Sequence, residues 1–172
     1  QFGTSLAGVS VGPTSAQPDT FVQLASPTFG GPNSGPRVNE VIISEVNYMP
    51  IDPDGPGSTF RASDFEFIEL YNHTSDPVDM AGWEVTGDIE YTFPEGTVIE
   101  PHEALTLVRF DPSTGTDATV FRFTIGMDPS ARLIGKRIRQ TLGDDSGTVQ
   151  LYRPGPAPAD DPSQAPMVLA DG

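Results

Sequence analysis

Residues 66–85, EFIELYNHTSDPVDMAGWEV, decide the fold of this chain. The stretch begins as an apolar run, breaks at the polar segment 72–77, and resumes at Trp83, the only tryptophan of the sequence. Asn, Ser, Asp and Pro favour turns, whereas Phe, Ile and Tyr favour strands. The stretch therefore predicts a strand, a turn and a second strand, and Gly82 lets the chain bend closely before the tryptophan ring enters the core.

The rest of the chain is organised in the same way. Gly and Pro number 18 each among the 172 residues, and they separate short runs rich in Val, Ile, Phe, Thr and Tyr. This pattern is typical of an all-β protein, and the spacing of the runs is that of a β-sandwich. The predicted strands are residues 20–25, 40–48, 65–73, 83–86, 90–93, 104–110, 120–124 and 148–153, with a short helical turn at 128–133. The Pro-rich segments 26–37 and 154–166 are predicted to be linkers.

The alternation of side chains along two of these strands predicts the buried faces. In strand 40–48, the more apolar face carries Ile42, Ser44, Val46 and Tyr48, and we expect this face to meet the core. In strand 65–73, both faces carry large apolar residues. That pattern predicts a central strand covered on both sides, or one whose outer face meets a neighbouring element.

Charge and composition exclude several kinds of partner and site. The chain has 24 acidic against 9 basic residues and a formal net charge of −15, which repels nucleic-acid phosphates and anionic membrane surfaces. No apolar run approaches the roughly 18 residues that a membrane-spanning helix needs. The sequence has no Cys and two His, which excludes disulfides and a structural zinc site within one chain.

Six motifs in series carry a resemblance to a known family. They are VIISEVNY at 41–48, EFIELYN at 66–72, VDMAGWEV at 78–85, FPEGTVIEP at 93–101, ALTLV at 104–108 and LGDDSGTVQLY at 142–152. In this order the chain resembles the lamin tail domain family over residues 40–153. The resemblance implies an immunoglobulin-like β-sandwich in which Gly82 and Trp83 lie at the hydrophobic centre.

The same resemblance implies a function without catalysis. It predicts an interaction or spacer module, one of several tandem modules of a larger secreted or cell-surface protein, in the extracellular space or the cell envelope. The expected partners are a protein or an envelope polymer, neighbouring repeats, or a swapped copy of the chain. The alternative is a carbohydrate-binding module in which Tyr48, Tyr71 or Tyr91 stack on sugar rings. No cofactor is expected, apart from the calcium ion considered below.

Two patterns raise the alternative of an enzyme. GVSVG at 8–12 fits a nucleophile elbow around Ser10, but Pro13 follows it, no helix pattern is present, and His73 and His102 lie in predicted turns. We therefore expect Ser10 to be non-catalytic. Glu45 and Glu69 lie on two strands that can pair, as in a glycosidase acid/base pair; the favoured interpretation is that they have a structural role.

Acidic, basic and glycosylation patterns supply further candidates. Asp52, Asp54 and Asp64 lie in one loop and are candidate ligands of a calcium-like ion, as is GDD at 143–145, although a solvated acidic turn explains both patterns as well. Segment 131–140 concentrates four basic residues, Arg132, Lys136, Arg137 and Arg139, which either bind an anion or an acidic neighbour or neutralise nearby Asp. The triplet that begins at Asn72 is a glycosylation sequon, which has meaning only in a glycosylating host.

The two ends of the chain form the last prediction. Residues 1–35 resemble the closing segment of a preceding repeat followed by a linker, and residues 36–172 resemble one lamin tail-like domain that stops before its last strand. A sandwich without that strand has an exposed edge. We therefore expect residues 2–11, together with 21–24, to supply the missing strand in the same chain or in a swapped dimer.

Overall fold

A computed structural model describes residues 8–15, 18–51, 60–136, 138, 140–157 and 165–172. Its regular elements are mostly strands, as the sequence predicts. The strands are β1 (Val11–Gly12), β2 (Val22–Gln23), β3 (Val41–Asn47), β4 (Phe67–Asn72), β5 (Val78–Asp79), β6 (Glu84–Gly87), β7 (Tyr91–Thr92), β8 (Val98–Ile99), β9 (Ala104–Val108), β10 (Arg132–Gly135), β11 (Val149–Pro154) and β12 (Met167–Asp171). The helix α1 spans Thr116–Ile125, and 3₁₀ turns lie at Ala62–Phe65 and Pro112–Thr114. No described helix has the length and apolar character that crossing a bilayer requires.

Two four-stranded sheets form the sandwich. Their strand orders are β10-β9-β4-β3 and β12-β11-β6-β7, and all neighbouring strands are antiparallel except β10 and β9. Ile68 and Leu70 of the first sheet share one core with Val85 and Leu151 of the second. Trp83 lies in this core and is only 5% exposed. The all-β sandwich with the tryptophan at its centre is therefore confirmed.

The strand β4 is covered on both sides, as its apolar pattern predicts. Ile68 points into the sandwich core, whereas Phe67 joins a second cluster against α1. In this cluster the ring of Phe121 lies 6.1 Å from that of Phe67 and 5.4 Å from that of Phe110. The helix thus packs on the outer face of the first sheet.

The strand predicted at 120–124 is wrong, because these residues lie in α1. Ala118 and Phe121, three residues apart, are both buried, so the segment uses the helical period to cover β4. Gly126 ends the helix in the left-handed conformation at φ 70°. Tertiary packing and this glycine outweigh the strand propensity of the local residues. The helical turn predicted at 128–133 is also wrong, since a short turn there leads into β10.

The face assignment along β3 is wrong as well. Val41 is fully buried and Ile43 packs against the same core, whereas Ser44 and Tyr48 are exposed. The pairing of β3 with β4 shifts register between Ile43 and Glu45. Such a bulge adds a residue to one strand and reverses the facing of the side chains that follow it, which returns Val46 to the core.

For the described residues, the pairing predicted at the chain ends is wrong. Met167–Asp171 forms β12, which pairs with β11 and completes the second sheet. Val168 and Ala170 alternate inward and are buried, so this segment fills the place expected to be empty. The described part of the N-terminal segment pairs with itself, β1 with β2, and Leu24 bridges to Pro36. Residues 1–7 lie outside the described residues, and the division at 35/36 stays a prediction.

Candidate functional site

The residues of the hydrolase alternative occupy structural positions. The carbonyl oxygen of Ser10 accepts the backbone N–H of Leu24 at 2.8 Å in the loop that leads into β1. His73 Nε2 lies 2.7 Å from the carbonyl oxygen of Asn39. His102 is exposed in a turn with a positive φ of 57°. The described bonds therefore give Ser10 and His73 roles in holding loops.

Glu45 and Glu69 are placed directly opposite each other by the pairing of β3 with β4. Glu69 Oε1 accepts a hydrogen bond from the hydroxyl of Ser44 at 2.7 Å. The two strands pair, as the sequence allowed, and their register places the two carboxylates opposite each other. Their surroundings form the first of two surface features.

The first feature is an apolar groove of about 830 Å³ between β3, the segment that follows it, and the C-terminal end of α1. The buried Phe65 and Phe67 and the two glutamates are among its lining residues. Three of its large apolar side chains are exposed: Met49 by 64%, Ile51 by 89% and Phe123 by 89%. The remaining lining residues are Asn47, Pro50, Thr124, Ile125 and Met127. We call this feature the apolar groove.

The second feature is a cleft of about 560 Å³ at the open side of the sandwich, between β3 and the loop that precedes β11. Tyr48 lines it and is 47% exposed. Asp88 and Asp171 line it too, and both carboxylates are held by backbone N–H groups. Asp88 accepts from Gly143 at 2.8 Å, and Asp171 accepts from Ile43 at 2.7 Å. We call this feature the Tyr48 cleft.

Of the three tyrosines expected to stack on sugars, the structure exposes one. Tyr91 is 6% exposed, and its ring packs edge-on against Phe93 with the centroids 5.0 Å apart. Burial raises the pKa of the Tyr91 hydroxyl above its ordinary value. The stacking role expected of Tyr91 is therefore wrong. Tyr71 is half-buried, and Tyr48 keeps its place as a candidate.

The calcium candidates are only partly described. Asp52 and Asp54 lie outside the described residues, and Asp64 Oδ2 accepts the backbone N–H of Arg61 at 2.8 Å. In the second candidate, the N–H of Gly143 is directed to Asp88. Within the described ranges, no three His, Asp or Glu side chains are grouped as metal ligands would be. A calcium-like ion at the 52–64 loop stays a prediction.

In the basic segment, one described cation pairs with an acidic residue and another with a ring. Arg132 Nη1 donates to Glu103 Oε2 at 2.8 Å and to the carbonyl oxygen of Val98 at 2.7 Å. Lys136 Nζ lies 5.3 Å from the centroid of the Tyr91 ring, within the range of a cation–π contact. For Arg132, the structure thus favours neutralisation of a neighbour over anion binding. Arg137 and Arg139 lie outside the described residues.

Asn72 of the sequon is a structural residue. It is fully buried, and Nδ2 donates to the carbonyl oxygens of Asp76 at 2.8 Å and Ile99 at 3.0 Å. Its Oδ1 accepts the backbone N–H of Thr74 at 3.0 Å. Because the nitrogen that would carry a glycan is buried and donating, the folded domain leaves Asn72 closed to glycosylation.

One buried charge was not singled out from the sequence. Glu66 is 2% exposed, and its Oε2 accepts the N–H of Leu142 at 3.0 Å and lies 3.5 Å from Arg109 Nη1. Desolvation by burial raises the pKa of Glu66 above its ordinary value of 4.5, although the Leu142 hydrogen bond and the Arg109 charge oppose that rise. The sequence feature that could have indicated this buried charge is the position of Glu66 at the start of an apolar run. Glu66 anchors the 142 loop to the sandwich and lines neither surface feature.

Two comparisons with known proteins bear on this geometry. The family model described as Lamin Tail Domain matches residues 35–159, more than two thirds of the chain. A search of curated proteins finds no match.

Proposed function

The chain belongs to the lamin tail domain family, and from this premise we propose that it is a non-catalytic interaction module of a larger secreted or cell-surface protein. The observation that carries the proposal is the apolar groove, where Met49, Ile51 and Phe123 are all more than half exposed. Soluble domains rarely expose several large apolar side chains together, and such patches mark interaction sites.

The polar side chains of the sandwich support this function, because several of them brace the scaffold. Asn72 fastens β4 to the segment before β9, Asp88 holds the loop before β11, and Asp171 joins the two sheets. Glu66 fastens the 142 loop. Binding surfaces work best on such rigid supports, since little order has to be gained when the partner docks.

From the same family membership we also propose a location and a class of partner. We place the module in the extracellular space or the cell envelope, next to further repeats of its parent protein. Its partner is a protein or an envelope polymer. The net charge of −15 repels nucleic acid and favours a partner with positive charge.

The test measures how strongly the purified chain binds to cells that display the parent protein. It compares the wild type with a variant that has less apolar surface in the groove. We expect the Met49→Ser/Phe123→Ser variant to bind about tenfold more weakly, since side chains at the centre of an interface dominate affinity. Phe29 is 97% exposed and lies outside the groove, so Phe29→Ser is the control and should bind as the wild type does. Equal binding by all three proteins would contradict the proposal.

A second candidate function rests on the Tyr48 cleft. An exposed aromatic ring beside fixed carboxylates suits a sugar, because the ring stacks on its apolar face and the carboxylates accept its hydroxyls. Titration calorimetry with soluble cell-wall polysaccharides tests this alternative. It predicts a measurable heat of binding that Tyr48→Ala abolishes and Phe29→Ala leaves unchanged. If the wild type gives no heat of binding, the alternative is excluded for those polysaccharides.

A further inference from the structure

We propose that the apolar groove binds an extended peptide segment of a partner protein in which Lys or Arg alternates with apolar side chains. The inference rests on the proposed interaction function and names the chemistry of the partner. Three observations carry it: the opposed glutamates, the exposed apolar side chains and the open edge of β3.

The opposed glutamates supply the charge. Glu45 and Glu69 are cross-strand partners, and like charges placed directly opposite each other destabilise a strand pair. The ion pairs of the described residues use Glu66, Glu103 and Glu40, so neither Glu45 nor Glu69 has a Lys or Arg neighbour among them. A cationic side chain from outside would remove this repulsion as it binds, which favours a basic partner.

The exposed apolar side chains supply the contact area. Met49, Ile51 and Phe123 line the same groove as the glutamates, and they come from two parts of the chain, since the first two follow β3 and the third lies on α1. Methionine adapts its shape to varied partners, and aromatic residues are enriched at the centres of interfaces. A segment with basic side chains alone would leave these apolar side chains exposed to water, so we infer that the partner carries apolar side chains as well.

The open edge of β3 supplies the backbone. β3 is the outer strand of its sheet, and in the described part of the chain no strand pairs with its far side. The N–H of Ile43 is taken by Asp171. Beyond the bulge, Glu45 and Asn47 pair with Glu69 and Phe67 of β4, so the open edge there is the backbone of Val46, which lies between these two groove-lining residues. An extended segment can add to such an edge through backbone hydrogen bonds and place alternate side chains in the groove.

The charge of the chain also decides against other occupants. A second copy carries a net charge of −15 and would bring two further glutamates against the pair. An anionic polymer is repelled for the same reason. A different role for the pair is protection of the β3 edge against strand addition, since charged side chains serve that purpose in many sheets. The experiment separates protection from binding.

The probe is a short synthetic peptide of alternating Lys and Val, titrated into ¹⁵N-labelled protein at low salt. Two further peptides separate the contribution of charge from that of apolar contact. One has Glu in place of Lys, and the other has Ser in place of Val. We expect saturable shifts of groove residues with the Lys–Val peptide and at least about tenfold weaker binding of the other two.

The protein variants are matched in charge. Glu45→Gln/Glu69→Gln removes two charges from the groove, and Glu95→Gln/Glu100→Gln removes two from exposed positions elsewhere. We expect about a tenfold loss of affinity for the first pair and less than about a twofold loss for the second.

Several results would overturn the inference. Equal losses for both variant pairs would mean non-specific attraction, and shifts outside the groove would mean a different site. Self-association of the Glu45→Gln/Glu69→Gln variant with unchanged peptide affinity would mean that the pair protects the edge. If the peptide results fail while Met49→Ser/Phe123→Ser still loses cell binding, the partner chemistry is wrong and the interaction function stands.

Discussion

The carboxylate of Asp171 accepts the backbone N–H of Ile43 at 2.7 Å, and this bond joins the last strand of one sheet to the outer strand of the other. The bond lies beside the bulge, where the ladder between β3 and β4 is interrupted. It therefore satisfies a backbone donor at the irregular point of the edge strand and fixes the spacing of the two sheets at the mouth of the Tyr48 cleft.

Removing this bond should destabilise the domain. Asp171→Ala leaves the N–H of Ile43 without its acceptor, and hydrogen bonds to charged groups contribute about 1.5–3 kcal/mol. Urea unfolding should show a loss of that size in the free energy of unfolding. Asp145→Ala, an exposed carboxylate of the same cleft, is the control and should change it by less than about 0.5 kcal/mol. Equal effects of the two substitutions would contradict this role of Asp171.

Truncation at the two ends should have unequal effects. Deleting residues 167–172 removes β12 with the buried Val168 and Ala170 and uncovers the fully buried Leu151 of β11, so we expect a loss above about 2 kcal/mol. Deleting residues 1–34 removes the β1–β2 hairpin, which pairs with neither sheet, and should cost less than about 2 kcal/mol. Urea unfolding of both proteins gives the comparison. A larger loss at the N-terminus would revive the idea that this segment completes the sandwich.

Truncation of Trp83 should cost a large part of the stability of the domain. The side chain is 5% exposed, and replacing a buried Trp or Phe by Ala costs about 3–5 kcal/mol. We expect a loss of that size for Trp83→Ala in urea unfolding, and a clearly smaller one for Trp83→Phe, which keeps most of the apolar volume. A loss below about 1 kcal/mol for Trp83→Ala would show that the ring is not central to the core.

The charge state of Glu66 should make stability depend on pH. Burial raises its pKa in the folded state above 4.5, so folding favours the protonated form. The stabilising contribution is therefore complete below pH 4.5 and is lost as the pH rises through the folded pKa. Relative to Glu66→Gln, which cannot ionise, the wild type should lose stability as the pH rises above 4.5. Urea unfolding of both proteins across this range measures the difference, and a difference independent of pH would contradict the raised pKa.

The central strands were predictable because they are continuous apolar runs, rich in aromatic and branched side chains, that are bounded by turn-forming residues. The motifs at Phe67–Asn72 and Ala104–Val108 gave both the strands and the two-sided burial of β4. The bulge after Ile43 could not be read from the sequence, since a register shift depends on the neighbouring strand. The helix α1 was missed because its β-branched and aromatic residues favour strands when tertiary contacts are left out. The short strands β5, β8 and β10 have too few residues for a period to show.

The candidate sites were predictable only where one local pattern contained them. The opposition of Glu45 and Glu69 followed from two strands that could pair, and Tyr48 was recognised as a stacking candidate. The apolar groove could not be recognised, because Phe123 joins Met49 from a helix far along the chain. The anchoring role of Asp171 was missed for the same reason, since its partner lies on the first strand of the sandwich.

The central claim is that this domain binds a partner through the apolar groove, and photo-cross-linking tests it most directly. Three exposed aromatic residues mark the sites to compare. Phe123 lies in the apolar groove, Tyr48 lies in the Tyr48 cleft, and Phe29 lies outside both. Each is replaced in turn by benzoylphenylalanine in the parent protein on intact cells, and cross-linked peptides are sequenced by mass spectrometry. The account predicts cross-links from position 123 to a segment in which Lys or Arg alternates with apolar residues, and none from position 29. Cross-links from position 29 but not from position 123, or from position 48 alone, would contradict it.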